Sequence, residues 1–558
     1  LQPDRRWTRR AQGFAVALAT LALMLATEPK LAIVWDEGYT LGRENRIRLW
    51  FQALNDPARF ADAWVPPRPF EELVQQDSPP PRADQINTRA KLFAPAVLGW
   101  FWPFAREEPH GHPPFYALVG LIGDAVVPTW ADLPRARFGP ILVFSLTAGT
   151  LFSVVARRHG RWAGAATAGA WVLQPQLFGH AHYAAYDALL TCLWVNAIMA
   201  FWLAVEPGTL GSPRTRPRWG WAVVLGILFG WAADTKLTGW FLPLPFLAWA
   251  ILYRSKPAIR TALIAAPVAL ITLYLFNPGW WSNPVGGVDR FLRSNLGRGK
   301  SIPILVEFLG TAYNTPVESL PWYNTLVWTA IATPVGFLVL ALVGSIRAIR
   351  RAKVEPFGLL VLGHWAFLLA LRALPHTPGH DGVRLFLPAF GVLAILAGQG
   401  AAWIIERSER WGRIVVGAVL IEGIASVLIM MPVPLSYYSP IVGGLPGATR
   451  LGMEPTYYWD ALTDDALAFL NARTAPGQAV QFATFPHSFL DLRRTGRLVA
   501  PIAPIERGVP VWYVVQNRPG AMRAEDRALV ERGGAAYVYR KLGVPLLWIF
   551  PLNPPGPR

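Results

Sequence analysis

The sequence has a single cysteine in 558 residues, Cys192, and it lies inside an apolar block. That excludes intrachain disulfides and a CxxC metal site. Acidic residues are also few: 35 Asp and Glu stand against 52 Lys and Arg, a formal charge of +17. On a soluble protein this excess points to nucleic acid. Here the bases fall in short loops between apolar blocks, so membrane sorting accounts for them and no nucleic-acid partner is implied. Internal repeats are lacking, which leaves an inverted-repeat transporter without support. The first apolar block, from about Phe14, follows Arg5, Arg6, Arg9 and Arg10 and reads as a signal anchor rather than a cleavable leader.

What the chain has in abundance is long apolar runs. Hydrophobic residues make up 53% of it. They fall in blocks of about 17 to 23, enough to cross a hydrocarbon core about 30 Å thick. Many of the 26 Trp sit at block ends, Trp35, Trp162, Trp219, Trp322 and Trp411 among them, where indole prefers the headgroup level. Basic loops at 157–161, 214–218, 254–260, 347–353 and 407–413 all read as cytoplasmic. Keeping them on one side requires that 113–130, with its Pro-Pro start and internal Asp124, does not cross. The expected crossings are 14–34, 138–156, 162–180, 183–205, 219–234, 237–253, 259–276, 323–346, 356–374, 383–405 and 413–431.

The expected fold is therefore an α-helical polytopic membrane protein with roughly eleven transmembrane helices. A transmembrane domain covers 1–431, with 35–137 as one long outer loop carrying juxtamembrane helices. A small extracytoplasmic α/β domain covers 432–558. In that tail, strand-like runs at 479–484, 509–515 and 535–539 alternate with helical patterns near 460–472 and 524–532.

Five polar clusters fall on the outer side. Asp36 and Glu37 follow the first crossing; ionisable groups at that depth mark a site or a solvated loop start. His110 and His112, just after Glu107 and Glu108, are candidate ligands for a divalent metal ion, or a polar approach to a Pro-started helix. His180, His182, Tyr183 and Asp187 crowd one short turn, where Asp187 could simply complement a helix dipole. Lys236 can snorkel, pair with Asp234, or hold a phosphate. His376 and His380 lead to Arg384, a cation on the side where topology does not favour one. Acids at two tips and cations at two others suit a site for an anionic lipid-linked substrate: phosphate meets Lys or Arg, and a carboxylate activates a hydroxyl. Gly299-Lys300-Ser301 lacks the earlier glycine and strand of a P-loop. The GxxxG spacings at 160–164 and 226–230 point to close helix packing.

The Asp-Glu after the first crossing, His112-Pro113-Pro114, Tyr186-Asp187-Ala188-Leu189-Leu190, Thr235-Lys236 and Arg384-Leu385-Phe386-Leu387-Pro388 occur in an order that resembles the protein O-mannosyltransferase-like and aminoarabinose transferase-like enzymes. The resemblance covers about residues 1–405, and the tail with Gly443-Gly444-Leu445-Pro446-Gly447 looks like that of bacterial members. These are C-type glycosyltransferases that use polyprenyl-phosphate sugars. The resemblance implies a multi-pass enzyme of the bacterial inner membrane that moves a sugar to a protein, lipid or glycan hydroxyl on the extracytoplasmic face, with inversion. It implies Asp36 as the base with Glu37 beside it, Asp187 as a second acid, and Lys236 and Arg384 on the donor phosphate. His112, His182, Tyr183, His376 and His380 are further substrate-site candidates. Where aminoarabinose transferases carry Glu-Lys before the Pro-Pro, this chain has Gly111-His112, so aminoarabinose itself is not implied. The rival readings are a lipid-linked glycan polymerase or ligase, and a non-catalytic transporter of such glycans.

Overall fold

The computed structural model describes residues 3–67, 79–103, 112–206, 216–297, 304–315, 317–379 and 381–552. Each expected crossing coincides with a helix or with a helix broken once. In chain order these are Pro3–Thr27, Asp132–His159, Arg161–Val172 with Pro175–His182, Tyr186–Val205, Trp219–Ala233, and Leu237–Phe241 with Pro243–Leu252. They continue with Lys256–Leu275, Asn324–Ala332 with Val335–Arg350, Pro356–Arg372, Arg384–Phe386 with Leu387–Arg407, and Glu409–Met430. Among the described residues, six helices are long and apolar enough to cross a membrane unaided. The breaks fall beside Pro175, Pro243, Pro334 and Pro388. Proline lacks an N–H and disfavours helical backbone at the residue before it. Residues 113–130 form two short helices, Phe115–Gly120 and Ile122–Val126. Together they reach about 18 Å, well short of a span.

Two helices form the centre of the bundle. The Tyr186–Val205 and Arg384–Arg407 segments are each 94% enclosed by protein, against 33% for Lys256–Leu275. A helix apolar on every side is stable in a membrane at either place, so enclosure reflects packing. Small residues permit that packing. A Cβ on Gly344 or Gly400 would collide with the backbone of the facing helix, at Leu396 and Leu340 respectively. Gly226 and Gly230 seat Trp219–Ala233 against Ala265 and Ala269 of Lys256–Leu275. Gly160 does not pack: it is the turn between two helices, at φ +89°.

The bundle's two ends differ in chemistry. At one end Arg157, Arg158 and Arg218 converge on Glu206 at 3.2 to 3.6 Å. There too, Arg347 and Arg351 bind Glu355 and Glu406. Asp187 and Glu206 bracket the same 20-residue helix, Tyr186–Val205, so about 30 Å separates the basic loops from the end that carries Asp187.

The tail is an α/β unit. Its strands are β3 (Gln478–Phe482), β4 (Ile502–Ala503), β5 (Val509–Gln516), β6 (Tyr537–Lys541) and β7 (Val544–Pro551), ordered β4-β3-β5-β7-β6. β3 runs parallel to β4 and β5, while β7 is antiparallel to β5 and β6. Helices Asp464–Arg473 and Ala524–Arg532 accompany the sheet. A hairpin, β1 (Leu305–Phe308) and β2 (Thr311–Asn314), lies within the long connection before Asn324. Its turn residues Leu309 and Gly310 both have positive φ, as a twisted two-residue hairpin turn requires. The Gly310 N–H donates to the Gly452 carbonyl at 2.9 Å, which ties the hairpin to the tail.

Candidate active site

Four breaks in helical structure bring the site together. Asp36 stands at the start of helix Glu37–Asn55, and Asp187 in the first turn of Tyr186–Val205. Lys236 lies in the extended turn between Ala233 and Leu237, and Arg384 opens the 3-10 turn before Pro388. Chain reversal at a membrane end leaves side chains from different helices facing one another. Arg384 pairs through Nη1 with Asp36, and Lys236 pairs with Asp187. Arg384 Nη2 lies 2.6 Å from Asp381, and its Nε lies 3.8 Å from Asp187. The side chains of Asp187 and Asp381 are 3% and 6% exposed, whereas that of Asp36 is 26% exposed. Asp36 is therefore the carboxylate of the three that an incoming group can reach.

The tail completes this cluster. The Tyr458 hydroxyl donates to Asp36 at 3.2 Å and accepts from Arg384 Nη1 at 3.1 Å, and the Arg384 guanidinium lies over the Tyr458 ring. Trp459 stacks on Trp35 with ring centres 4.5 Å apart, and His487 lies 3.9 Å from the Trp35 ring. Gly38 permits this docking, since a Cβ there would collide with the His487 carbonyl. Trp459 itself is held at φ +57°, an outlier for a bulky residue that only firm surroundings sustain. Burial pushes the His487 imidazole down to about 4, so it is neutral beside Asp36 at physiological pH.

The remaining candidates separate. Glu37 is fully buried and both its oxygens are occupied. They accept from the Val34 and Ala184 N–H groups at 2.9 and 2.8 Å, and from Arg137 at 2.8 and 2.7 Å. Tyr183 is buried near Arg137 and Tyr458. His182 points away from the cluster: its Nδ1 bonds the Phe178 carbonyl at 2.7 Å, and its Nε2 lies near Thr27 Oγ1 and the Met24 carbonyl. His180, two residues earlier, is the histidine that faces Tyr458, with ring centres 5.4 Å apart and neither ring nitrogen hydrogen-bonded. His112 packs on Tyr186 at 4.4 Å. His376 stands on an exposed turn whose N–H donates to Ser319 Oγ, outside the charge cluster. His110 and His380 lie outside the described residues. Asp234 does not pair with Lys236; it is buried, accepts from Asn277 and receives the Phe115 N–H on its carbonyl. Among the described residues, no three of His, Cys, Asp and Glu come together as a metal-binding group.

Sequence reasoning missed the tail's share. Tyr458, Trp459, His487 and Arg518 of the tail were not among the expected site residues, nor was Asp381, three residues before Arg384. The aromatic run Tyr457-Tyr458-Trp459 was the signal available.

The described residues thus form an enclosed helical bundle with a charge cluster at one end and a docked α/β tail. Residues 112–281 match the family model described as dolichyl-phosphate-mannose-protein mannosyltransferase. The chain is similar to the structure of ArnT from Cupriavidus metallidurans bound to undecaprenyl phosphate, with 15% identity, 97% of each chain covered and a TM-score of 0.52. For the apo state of the same protein the values are 15%, 98% of each chain and 0.50. No curated protein sequence matches it.

Proposed function

We propose that the protein is a membrane glycosyltransferase. It moves a sugar from a polyprenyl-phosphate-linked donor to a hydroxyl of a protein, lipid or glycan on the extracytoplasmic side, by an inverting displacement. The observation that carries this reading is the partly exposed Asp36 set against two buried cations, Arg384 and Lys236, at the bundle end opposite the basic loops. The family match and the fold support it. On this reading 1–431 is the transmembrane unit, the tail from 432 is extracytoplasmic, and the membrane is the bacterial inner membrane.

The chemistry is direct. Asp36 takes the proton from the acceptor hydroxyl as the acceptor oxygen bonds to the anomeric carbon. The bond from that carbon to the phosphate oxygen breaks, and its electron pair leaves on polyprenyl phosphate. The leaving phosphate gains charge, which Arg384 can hold in bidentate fashion and Lys236 as a point charge. No covalent enzyme intermediate is required. Before the donor binds, Arg384 holds Asp36 in an ion pair, and a carboxylate so paired is a weak base. Donor phosphate that takes up Arg384 frees Asp36, so the base becomes active only with donor in place. Asp187 keeps Lys236 positioned. Glu37 is assigned to holding the loop rather than to proton transfer. A divalent metal ion remains a candidate cofactor through His110 and His112, and no step above depends on it.

Incubating the purified protein with radiolabelled polyprenyl-phosphate hexoses and pentoses and an acceptor mixture tests the reading. One donor should be consumed with release of polyprenyl phosphate, and the product should carry the inverted configuration. A retained configuration would overturn the direct displacement.

A further inference from the structure

Arg518 is the tail's cation at the charge cluster. It follows β5 and is 4% exposed. Its Nη1 lies 2.9 Å from Asp381 Oδ1, while Asp381 Oδ2 lies 2.6 Å from Arg384 Nη2. One carboxylate therefore bridges two guanidinium groups, one from the membrane bundle and one from the tail. Arg518 is itself held in place. Its guanidinium lies 3.9 Å from the centre of the Trp459 ring, and its Nε is 3.7 Å from Glu454, which accepts the Gly520 N–H at 3.1 Å.

This sharing has a consequence at Arg384. Three carboxylates surround that guanidinium: Asp36, Asp187 and Asp381. Asp36 can leave when donor arrives. Asp381 is three residues away on the same turn and stays. All three side chains of the Arg384–Asp381–Arg518 bridge are less than 10% exposed, so salt and water screen them little. An Asp381 charge borne by Arg384 alone would compete with a phosphate for the same fork.

We propose that Arg518 is a positioning residue for the donor-phosphate site: by sharing Asp381 it keeps Arg384 oriented yet available to a polyprenyl phosphate. The proposal rests on the reading of Arg384 and Lys236 as the phosphate site. It makes the tail a part of the donor site and not only a cover over it.

Binding of undecaprenyl phosphate to the full-length detergent-purified chain tests this, with Arg518→Ala, Asp381→Asn and the double variant measured side by side. Arg518→Ala should weaken binding about tenfold or more, and adding Asp381→Asn should restore it to within about threefold of the parent. A merely structural role predicts additive losses and no rescue. If Arg518→Ala does not fold, Arg518→Gln removes the charge while keeping a donor towards Asp381, and the same pattern is expected. Parental affinity in the Arg518 variant, or a double variant no better than that variant, overturns the proposal. Failure of the parent protein to bind undecaprenyl phosphate overturns the functional reading beneath it.

Discussion

Replacing Glu37 by Gln should destabilise the protein, while replacing its neighbour Asp36 by Asn should spare stability and cut turnover. Glu37 and Arg137 are both fully buried and share two hydrogen bonds at 2.8 and 2.7 Å. The same carboxylate accepts the N–H groups of Val34 and Ala184, pinning the end of the first crossing to the turn before Tyr186–Val205. Gln supplies no charge and turns one acceptor into a donor, which must then face an N–H. Breaking a buried ion pair costs about 3 to 5 kcal/mol. Arg137 keeps Glu28 at 2.9 Å and the Ala32 carbonyl at 2.8 Å, which moves the expectation to the lower end, about 3 kcal/mol. Asp36 is partly exposed, and Arg384 keeps Asp381 without it. Asp36→Asn should therefore change stability by less than about 1 kcal/mol. It should cut turnover by roughly 10² to 10⁴. Thermal unfolding in detergent, followed by tryptophan fluorescence, and transfer assays on the same samples separate the two. An unfolding midpoint for Glu37→Gln equal to the parent's, with a lowered one for Asp36→Asn, would refute the division of roles.

Arg384→Lys should lose donor affinity although it keeps the charge, because an ammonium cannot grip a phosphate with two parallel bonds; undiminished binding would place the phosphate elsewhere. Glu44 lies buried on helix Glu37–Asn55, and burial raises its carboxyl from 4.5 to about 8. The folded state then holds a proton that the unfolded chain releases above 4.5, so stability is full below that pH and falls as pH rises towards 8. Glu44→Gln should flatten this fall in thermal midpoint, and an unchanged slope would assign it to other groups. Trp459→Gly should be more stable than Trp459→Ala by about 1 kcal/mol, against the usual order, since Gly adopts positive φ freely. Equal midpoints would mean the backbone relaxes there. Reporter fusions after Arg161 and at the C-terminus should report opposite sides of the membrane, and the same side for both would sink the proposed topology.

Much of the fold was legible because a bilayer dictates length and composition together. Each of the eleven apolar blocks became helix, and 113–130 became two short helices, Phe115–Gly120 and Ile122–Val126. In the tail, the strand-like runs at 479–484, 509–515 and 535–539 became β3, β5 and β6. β7, the Val-Pro-Leu-Leu-Trp-Ile-Phe-Pro run, was not among the expected strands, although it is as apolar as β5. The hairpin at 305–314 was hidden because Leu309 gives no sign of a positive φ. Asp36, Asp187, Lys236 and Arg384 were legible as ionisable groups at membrane ends, and the structure joins all four. Which partner each takes was not legible: Lys236 meets Asp187, 49 residues away, rather than the nearby Asp234. His182 and His180 differ only in which face of a short helix they occupy, a distinction that depends on where Pro175 starts that helix. The tail's Tyr458 and Arg518 reach the site through tertiary docking, for which local sequence carries no period or spacing.

The central claim is that Asp36 drives sugar transfer from a polyprenyl-phosphate donor at the outer membrane face. Mass spectrometry of extracytoplasmic glycans, glycoproteins and polyprenyl-phosphate sugars tests it most directly, in cells with the gene, without it, and complemented by the parent or by Asp36→Asn. The account predicts that deletion removes one pentose or hexose increment from an acceptor and accumulates the matching lipid-linked sugar, and that the parent gene but not Asp36→Asn reverses both changes. Identical glycan and lipid profiles in all four strains, or full complementation by Asp36→Asn, would contradict it.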